Sequence, residues 1–404
     1  MFADPKLFPD EQAPRACEKH YRGRHLEVQT LFGPVHLRRS YYHHVPSGTG
    51  RYPMDQALGV VRGCSPAVAR LICRASSQSS SYAEASADLQ AYSGLQIQTR
   101  IFDRMVAQVS PTLRQARALL PPLHLKDIMP ILYASWDGTG TPMRKDQLEG
   151  CLGRQPDGSA CTREAKLGSI FTQSSCDENG EPLRDPDSTT YVGTFEGCRS
   201  VAILLREEAL RRGLGRAQQV VCLGDGAAWV WENARTTFPG AVQILDFFHA
   251  AEHVGNLADG LFGKGTSEAK AHQDKWVSNM KRTNPAAMLE EARAILPSLP
   301  LTPVEIELVE GEIAYFENQG QRTEYGKFRA AGYFIGSGVI EAGCKTVIGR
   351  RLKQSGMFWS QRGAEDLLSL RCLVLDPRFD EAWNAMPQIL EQQARKARRW
   401  TSQN

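Results

Sequence analysis

No C-x-x-C pair occurs anywhere in the 404 residues, and the longest apolar runs, Gln219–Gly224 and Phe334–Ile340, fall far short of the roughly 20 residues a membrane helix needs. Met1–Pro14 is acidic and broken by proline, so it lacks the form of a secretory leader. Ten cysteines spread from Cys17 to Cys372 do not make the framework of a small disulfide-stapled domain. These absences exclude a membrane protein and a secreted scaffold, and they lead to the expectation of a cytoplasmic chain. Charge of one sign is also scarce, the formal net being +3, and internal repeats and extended low-complexity tracts are missing. What is present, 42% hydrophobic and 23% charged residues, is the composition of folded chains, and a chain of this length suggests two to four domains.

The charge is unevenly placed. Arg15–Val45 carries six Lys/Arg against two Glu, together with five His, and Arg322–Lys353 carries seven Lys/Arg against two Glu. Both stretches have the sign that faces phosphate. In the tail, Arg395, Lys396, Arg398 and Arg399 fall within five residues, a run that solvated helix ends also show.

From Leu26 to Tyr42 the apolar/polar alternation predicts two strands joined at Gly33-Pro34. Cys17, His20, His43 and His44 have donor atoms for zinc without its paired spacing, so zinc is not expected. Ser65-Pro66 predicts a helix start, and Ser81-Tyr-Ala-Glu84 has the form of a capping box opening a helix that Ser93-Gly94 closes. A further apolar face runs from Leu95 to Val106. Helix, short turn, helix is the outline of both a helix-turn-helix DNA reader and a plain helical hairpin. In the first case Gln98, Thr99 or Arg100 would contact DNA.

Beyond Pro121-Pro122 the pattern changes to alternating strands and helices. Strands are expected at Ile131–Trp136, Lys166–Gln173, Thr190–Phe195, Val220–Leu223 and Val242–Asp246, and helices at Arg199–Arg212, around Trp229–Trp231 and from about His249. Cys151–Glu164 and Ser174–Ser188 read as loops. Residues 264–321 read as mostly helical, and Tyr333–Glu341 as a strand-like run passing into a helix. Trp136, Trp229, Trp231 and Trp276 read as packing residues, and so does Trp359.

Two aspartates follow buried-type strands and precede glycine, at Trp136-Asp137-Gly138 and Gly224-Asp225-Gly226. In α/β sheets the carboxyl ends of strands carry the chemistry, and an adjacent glycine lets a ligand approach the backbone. A third carboxylate, Glu341, follows Gly336-Ser-Gly338, with Lys345, Arg350, Arg351 and Lys353 beyond it as candidate phosphate contacts.

With these residues in view, the chain resembles the DDE transposases of Kra-type bacterial insertion sequences, relatives of the Mutator-like group. The resemblance spans most of the chain. It rests on Tyr41-Tyr42, Pro53-Met-Asp-Gln-Ala-Leu58, Tyr82-x-Glu-Ala85, Asp137-Gly-Thr139, Glu164-Ala-Lys-Leu-Gly168, Gly224-Asp-Gly226, Asp246-Phe-Phe-His249 with Glu252-His253, and Gly336-Ser-Gly-Val-Ile-Glu341. It implies an α/β fold with an RNase H-like mixed sheet, flanking helices and a helical insertion. The implied division is 1–55, a β-hairpin region like a degenerate zinc ribbon; 56–124, a helix-turn-helix-like DNA-binding domain; 125–262 and 333–378, the catalytic core; 263–332, the insertion; and 379–404, a basic tail. Asp137, Asp225 and Glu341 would be the metal-binding triad, with Asp246 and His249 a supporting D-x-x-H element. His43-His44-Val-Pro-Ser-Gly stands where many relatives carry cysteines.

The implied cofactor is a pair of Mg²⁺ ions, with Mn²⁺ able to substitute, and Asp137 is expected to bridge both. Hard cations at a displaced phosphodiester stabilise the entering and leaving oxygens, and carboxylates suit them. The implied partners are transposon-end and target DNA, contacted also by Arg38, Arg39 and Arg100, and a second copy of the chain, because two ends must be held together. Two other readings stay open: a transposase-derived DNA-binding protein without catalysis, and a nuclease that only hydrolyses.

Overall fold

A computed structural model describes residues 14–121, 130–149, 151 and 160–401. Residues 1–13 of the acidic N-terminal stretch, the boundary residue Pro122, residues 152–159 of the Gly-rich loop and the last three residues of the tail lie outside the described residues. The chain forms two compact units, one of residues 1–120 and 350–404, the other of residues 121–349. The cuts thus fall at other points than the segments read from the sequence, and residues 350–378 group with the N-terminal unit.

The first unit opens with β1 (Glu18–Thr30) and β2 (Gly33–His44), antiparallel, with Thr30 opposite Gly33. The turn is Leu31-Phe32, just before the expected Gly33-Pro34: Gly33, at φ 105°, already begins the return strand, and Pro34 pairs with Gln29. A short β3 (Thr49–Arg51) completes the sheet, and Arg51 forks onto Glu18 with two 2.8 Å bonds. His20 pairs with Tyr42 across the strands and stacks on it at 4.5 Å.

After α1 (Pro53–Leu58), α2 (Pro66–Gln78) starts at Ser65, whose hydroxyl accepts from the Val68 amide at 3.5 Å. In α3 (Tyr82–Ser93) Ser81 accepts from the Glu84 amide, but the Glu84 carboxylate closes on the Ser80 amide at 2.6 Å, one residue earlier than a capping box would place it. Gly94, at φ 69°, ends α3, and α4 (Thr99–Leu119) follows, giving the helix–turn–helix outline.

In the second unit, β4 (Ile131–Pro142) and β5 (Thr162–Gln173) form a long antiparallel pair. The two-residue strands β6 (Ser175–Cys176) and β7 (Pro182–Leu183) make a small ribbon, followed by β8 (Thr190–Thr194), α5 (Cys198–Arg211), β9 (Gln219–Gly224), α6 (Ala228–Thr237), β10 (Val242–Leu245) and α7 (Phe247–Phe262). The five-stranded sheet has the order β10-β9-β4-β5-β8, with β10, β9 and β4 parallel and β5 antiparallel to both its neighbours. The architecture is therefore mixed α/β.

Helices α8 (Ser267–Arg282), α9 (Ala286–Ile295), α10 (Pro303–Gln319) and α11 (Tyr325–Ala330) follow. Their buried Trp276, Met280, Leu289, Ile313 and Phe316 belong to the same core cluster as Leu132, Ile170 and Leu223 of the sheet, so this stretch has no separate core. Tyr333–Ser337 is not a strand; its backbone is tied piecewise, the Phe334 amide to the Tyr133 hydroxyl at 3.1 Å and the Ile335 carbonyl to the Phe247 amide at 2.9 Å. Then come α12 (Gly338–Gly343) and a π-turn, Cys344–Gly349. Trp136, Trp231 and Trp276 are buried as expected.

The last elements, α13 (Arg350–Leu352), α14 (Gln361–Val374) and α15 (Phe379–Thr401), belong to the first unit, where α14 and α15 pack on α4. Arg351 is wholly buried there, donating to the Ser76 carbonyl at 2.9 Å between the rings of Tyr82 and Trp359, and this burial lowers its pKa. Among the described residues no helix is long and apolar enough to cross a membrane.

Candidate active site

Asp137 lies inside β4, not at its end. The antiparallel partner β5 keeps pairing past it, from Asp137 opposite Leu167 to Pro142 opposite Thr162, whereas the parallel partner β9 stops at Gly224. The last parallel pair is Ser135 with Leu223. Two residues on in the chain stand Asp137, still within β4, and Asp225, the first residue after β9, so both aspartates lie just past the end of the parallel pairing. The site is thus the point where β9 leaves β4.

Each aspartate is held by one carboxylate oxygen. Asp137 Oδ1 accepts from the Gly138 amide at 2.6 Å, and Asp225 Oδ1 accepts from the Ala227 amide at 3.0 Å in an Asx-type turn. The backbone around Asp225 is braced from α10: the Tyr315 hydroxyl donates to the Asp225 carbonyl at 3.3 Å and Gln319 Nε2 donates to the Gly226 carbonyl at 3.2 Å. Gly226 sits at φ 97°, and a Cβ there would fall 2.7 Å from the Tyr315 oxygen. Burial, and then the Asp225 charge, push the Tyr315 phenol well above its ordinary range.

The histidines of α7 line up on this brace. His253 stacks on Tyr315 at 3.7 Å and bonds Glu312 at 2.7 Å; His249 meets His253 edge-on at 5.1 Å and lies 3.6 Å from Glu252. His249 therefore connects to Asp225 through two rings and a backbone carbonyl.

Asp246 is buried, and both its oxygens are used by the backbone. One caps α7 through the His249 amide at 2.6 Å; the other accepts from the Ser337 amide ahead of α12. Its own amide donates to the Gly224 carbonyl at 2.7 Å. The D-x-x-H spacing is that of an N-cap and its N3 residue. Asp246 thus ties β9, α7 and the approach to Glu341 together.

Glu341 stands on α12. Ile340, Gly343 and Val347 form the buried stripe, and a Cβ on Gly343 would meet Tyr191 at 2.5 Å and Leu167, the cross-strand partner of Asp137, at 3.1 Å. Glu341 flanks that stripe, is exposed, and accepts from the Ser337 hydroxyl at 3.3 Å. Among the described residues no three His, Cys, Asp or Glu are grouped to hold a metal ion. The aspartate pair by itself matches what Mg²⁺ takes from proteins, one or two carboxylates with water and substrate phosphate in the remaining positions.

The candidate phosphate contacts divide by exposure. Arg38, Arg100, Lys345, Arg350 and Lys353 are exposed. Arg39 is buried against Asp55 with its guanidinium 3.6 Å above the Tyr52 ring, so like Arg351 it is built into the interior of the first unit. A cation the sequence reading passed over is Lys166, opposite Gly138. Its nearly buried ammonium pairs with Glu164 at 2.8 Å and lies 3.9 Å over the Trp229 ring, so a Cβ at Gly138 would come within 3.1 Å of it. The motif Glu164-x-Lys166 held the signal, since period-two alternation puts both side chains on the face of Gly138.

The fold and these residues define a mixed α/β protein with paired aspartates at the split between two parallel strands. No family model matches the chain, and no curated protein matches it. Among solved structures, a chain of the Drosophila P element transposase strand transfer complex is similar to it at a TM-score of 0.30 and 8% identity, over 78% of this chain and 79% of that one.

Proposed function

We propose that this chain is a DDE-type transposase of the Kra-type insertion-sequence kind, with an RNase H-like catalytic core. The observation that carries the reading is the placement of Asp137 and Asp225 each two residues past the last parallel pair, where β9 parts from β4. The strand order supports it: a central β4 with the parallel β9 and β10 on one side and β5 then β8 on the other, β5 alone running against the rest, is the arrangement of an RNase H-like sheet. Exposed cations in both units give the chain contacts for DNA phosphates.

Two Mg²⁺ ions, or Mn²⁺ in their place, would be held by Asp137 and Asp225 with Glu341 as the third acid, and would neutralise charge on the entering and leaving oxygens. The chain's own part is positional. The Gly138 and Ala227 amides fix the two carboxylates, Tyr315 and Gln319 hold the Asp225 turn, and Asp246 sets the start of the Glu341 helix. In this reading water cleaves the transposon end, leaving a 3′-hydroxyl, whose oxygen then attacks a phosphorus in target DNA and displaces the target strand's own 3′-oxygen as the leaving group. Two ends are processed together, which calls for at least a dimer on DNA.

The test is Mg²⁺- or Mn²⁺-dependent nicking of labelled DNA carrying the gene's own flanking sequence. A nick exposing a 3′-hydroxyl, abolished by Asp225→Asn with DNA affinity kept, is the expected result. A second reading, a DNA-binding protein without catalysis, is favoured by one observation, the exposed Glu341 outside any three-ligand group. Salt-sensitive binding with no nicking under either metal would establish it.

A further inference from the structure

A cavity of about 520 Å³ opens in the second unit on the sheet face that carries Asp137. Phe171, on its floor, and Leu167, the partner of Asp137, are four residues apart on β5 and so share a face. That puts the floor about 13 Å along the strand from the aspartate register. The size falls within the ordinary range of small-molecule sites.

The walls are aromatic. Phe171 stacks on Tyr133 at 4.6 Å, and Phe334 stands edge-on to both, at 5.7 and 5.4 Å. Phe248 is 65% exposed, and its ring lies against Gly336, where a Cβ would come within 2.9 Å of it. Together with Phe247, Tyr333 and Phe334 it forms a contiguous apolar surface rimmed by polar groups, the kind that marks a binding groove. The rim is cationic: Arg184 and Lys281 are exposed, and Arg329 is joined to Glu181, the single carboxylate among the lining residues. The backbone of Gly336 and Gly338, leading into the Glu341 helix, forms one wall.

We infer that this cavity takes an unpaired nucleobase of the DNA strand, stacked against Phe248 with its flanking phosphates on Arg184 and Lys281. A flat π-face for the base beside positive charge for the backbone is the combination by which proteins hold single-stranded nucleic acid. An apolar peptide would leave the cations without partners, and a paired duplex has no base free to enter. The inference rests on the DNA reading above and adds the recognition of an unpaired residue close to the reacting strand.

The test is anisotropy of the full-length protein with a labelled single-stranded oligonucleotide and with its fully paired duplex, in EDTA so that cleavage plays no part. Phe248→Ala is expected to weaken single-strand binding about thirtyfold, the middle of the range for one base–aromatic stack, and to change duplex binding less than twofold. Phe248→Tyr is expected to restore it, and exposure of the ring makes an unchanged melting temperature the check on folding. Single-strand affinity unchanged in Phe248→Ala, or duplex and single-strand affinity falling equally, overturns the inference and leaves the transposase reading standing. A wild-type protein that binds neither form overturns both, and capture of an apolar peptide in competition with single-stranded DNA would reassign the cavity.

Discussion

At the scale of single residues, charges have been given two different tasks that the sequence writes in the same letters. Arg39 and Arg351 sit in the basic stretches beside Arg38 and Arg350, but their guanidiniums are buried in the first unit while their neighbours are exposed. Nothing in the local pattern marks which arginine turns inward, because the partners, Asp55 and Tyr52 for one and the Ser76 carbonyl for the other, come from other elements. Glu18 makes the difference measurable. The two Arg51 bonds hold its carboxyl down at about 2, against an ordinary 4.5. A carboxylate lowered on folding stabilises above its unfolded pKa, and that contribution is lost as pH falls through the folded value. Melting temperature is therefore expected to fall between about pH 4.5 and pH 2, with a shallower fall in Arg51→Gln. Parallel curves for the two proteins would show that the fork contributes nothing.

At the scale of elements, Asp246 is the place where three of them meet. Removing its carboxylate in Asp246→Ala deletes the α7 cap and the bond to the Ser337 amide, at a cost of about 2 to 4 kcal/mol. The melting temperature is expected to drop by roughly 5 to 15 °C, and nicking to fall even where the protein is fully folded, because the Glu341 helix loses its anchor. Activity that survives intact would make the residue a simple cap. Most elements of the second unit were legible from alternation and helical period, from Val220–Leu223 to the helix around Trp229–Trp231. What was not legible follows from pairing. Asp137 reads as a strand end since glycine follows it, yet β5 prolongs the strand to Pro142. Tyr333–Ser337 has a strand's composition but no neighbouring strand, so its polar groups are satisfied one at a time. The three acids were visible as letters; the exposure of Glu341 and the brace from Tyr315 were not, because they depend on the stripe α12 buries and on a helix 90 residues away in the chain.

At the scale of the whole molecule, the transposase reading predicts an affinity for DNA that depends on salt through the exposed cations. Each phosphate contact removed by changing Arg38, Arg100, Lys345, Arg350 or Lys353 to Ala is expected to reduce the slope of log affinity against log salt by about 0.9. A slope indifferent to all five would place the DNA elsewhere on the surface. The first unit also has a history in time. Its helices α2, α3 and α4 are made before residues 121–349, and α14 and α15, which pack on α4, only after them. Between them comes all of residues 121–349. At translation rates of 5 to 20 residues per second, the early helices wait roughly 10 to 50 seconds for their closing partners. Throughout that interval the part of α4 against which α14 and α15 pack lacks those partners on the nascent chain. The unit interrupted by residues 121–349 therefore closes after that stretch is made, and a chain that stalls or is cut before α14 carries an unpartnered helical surface that chaperones and proteases can read.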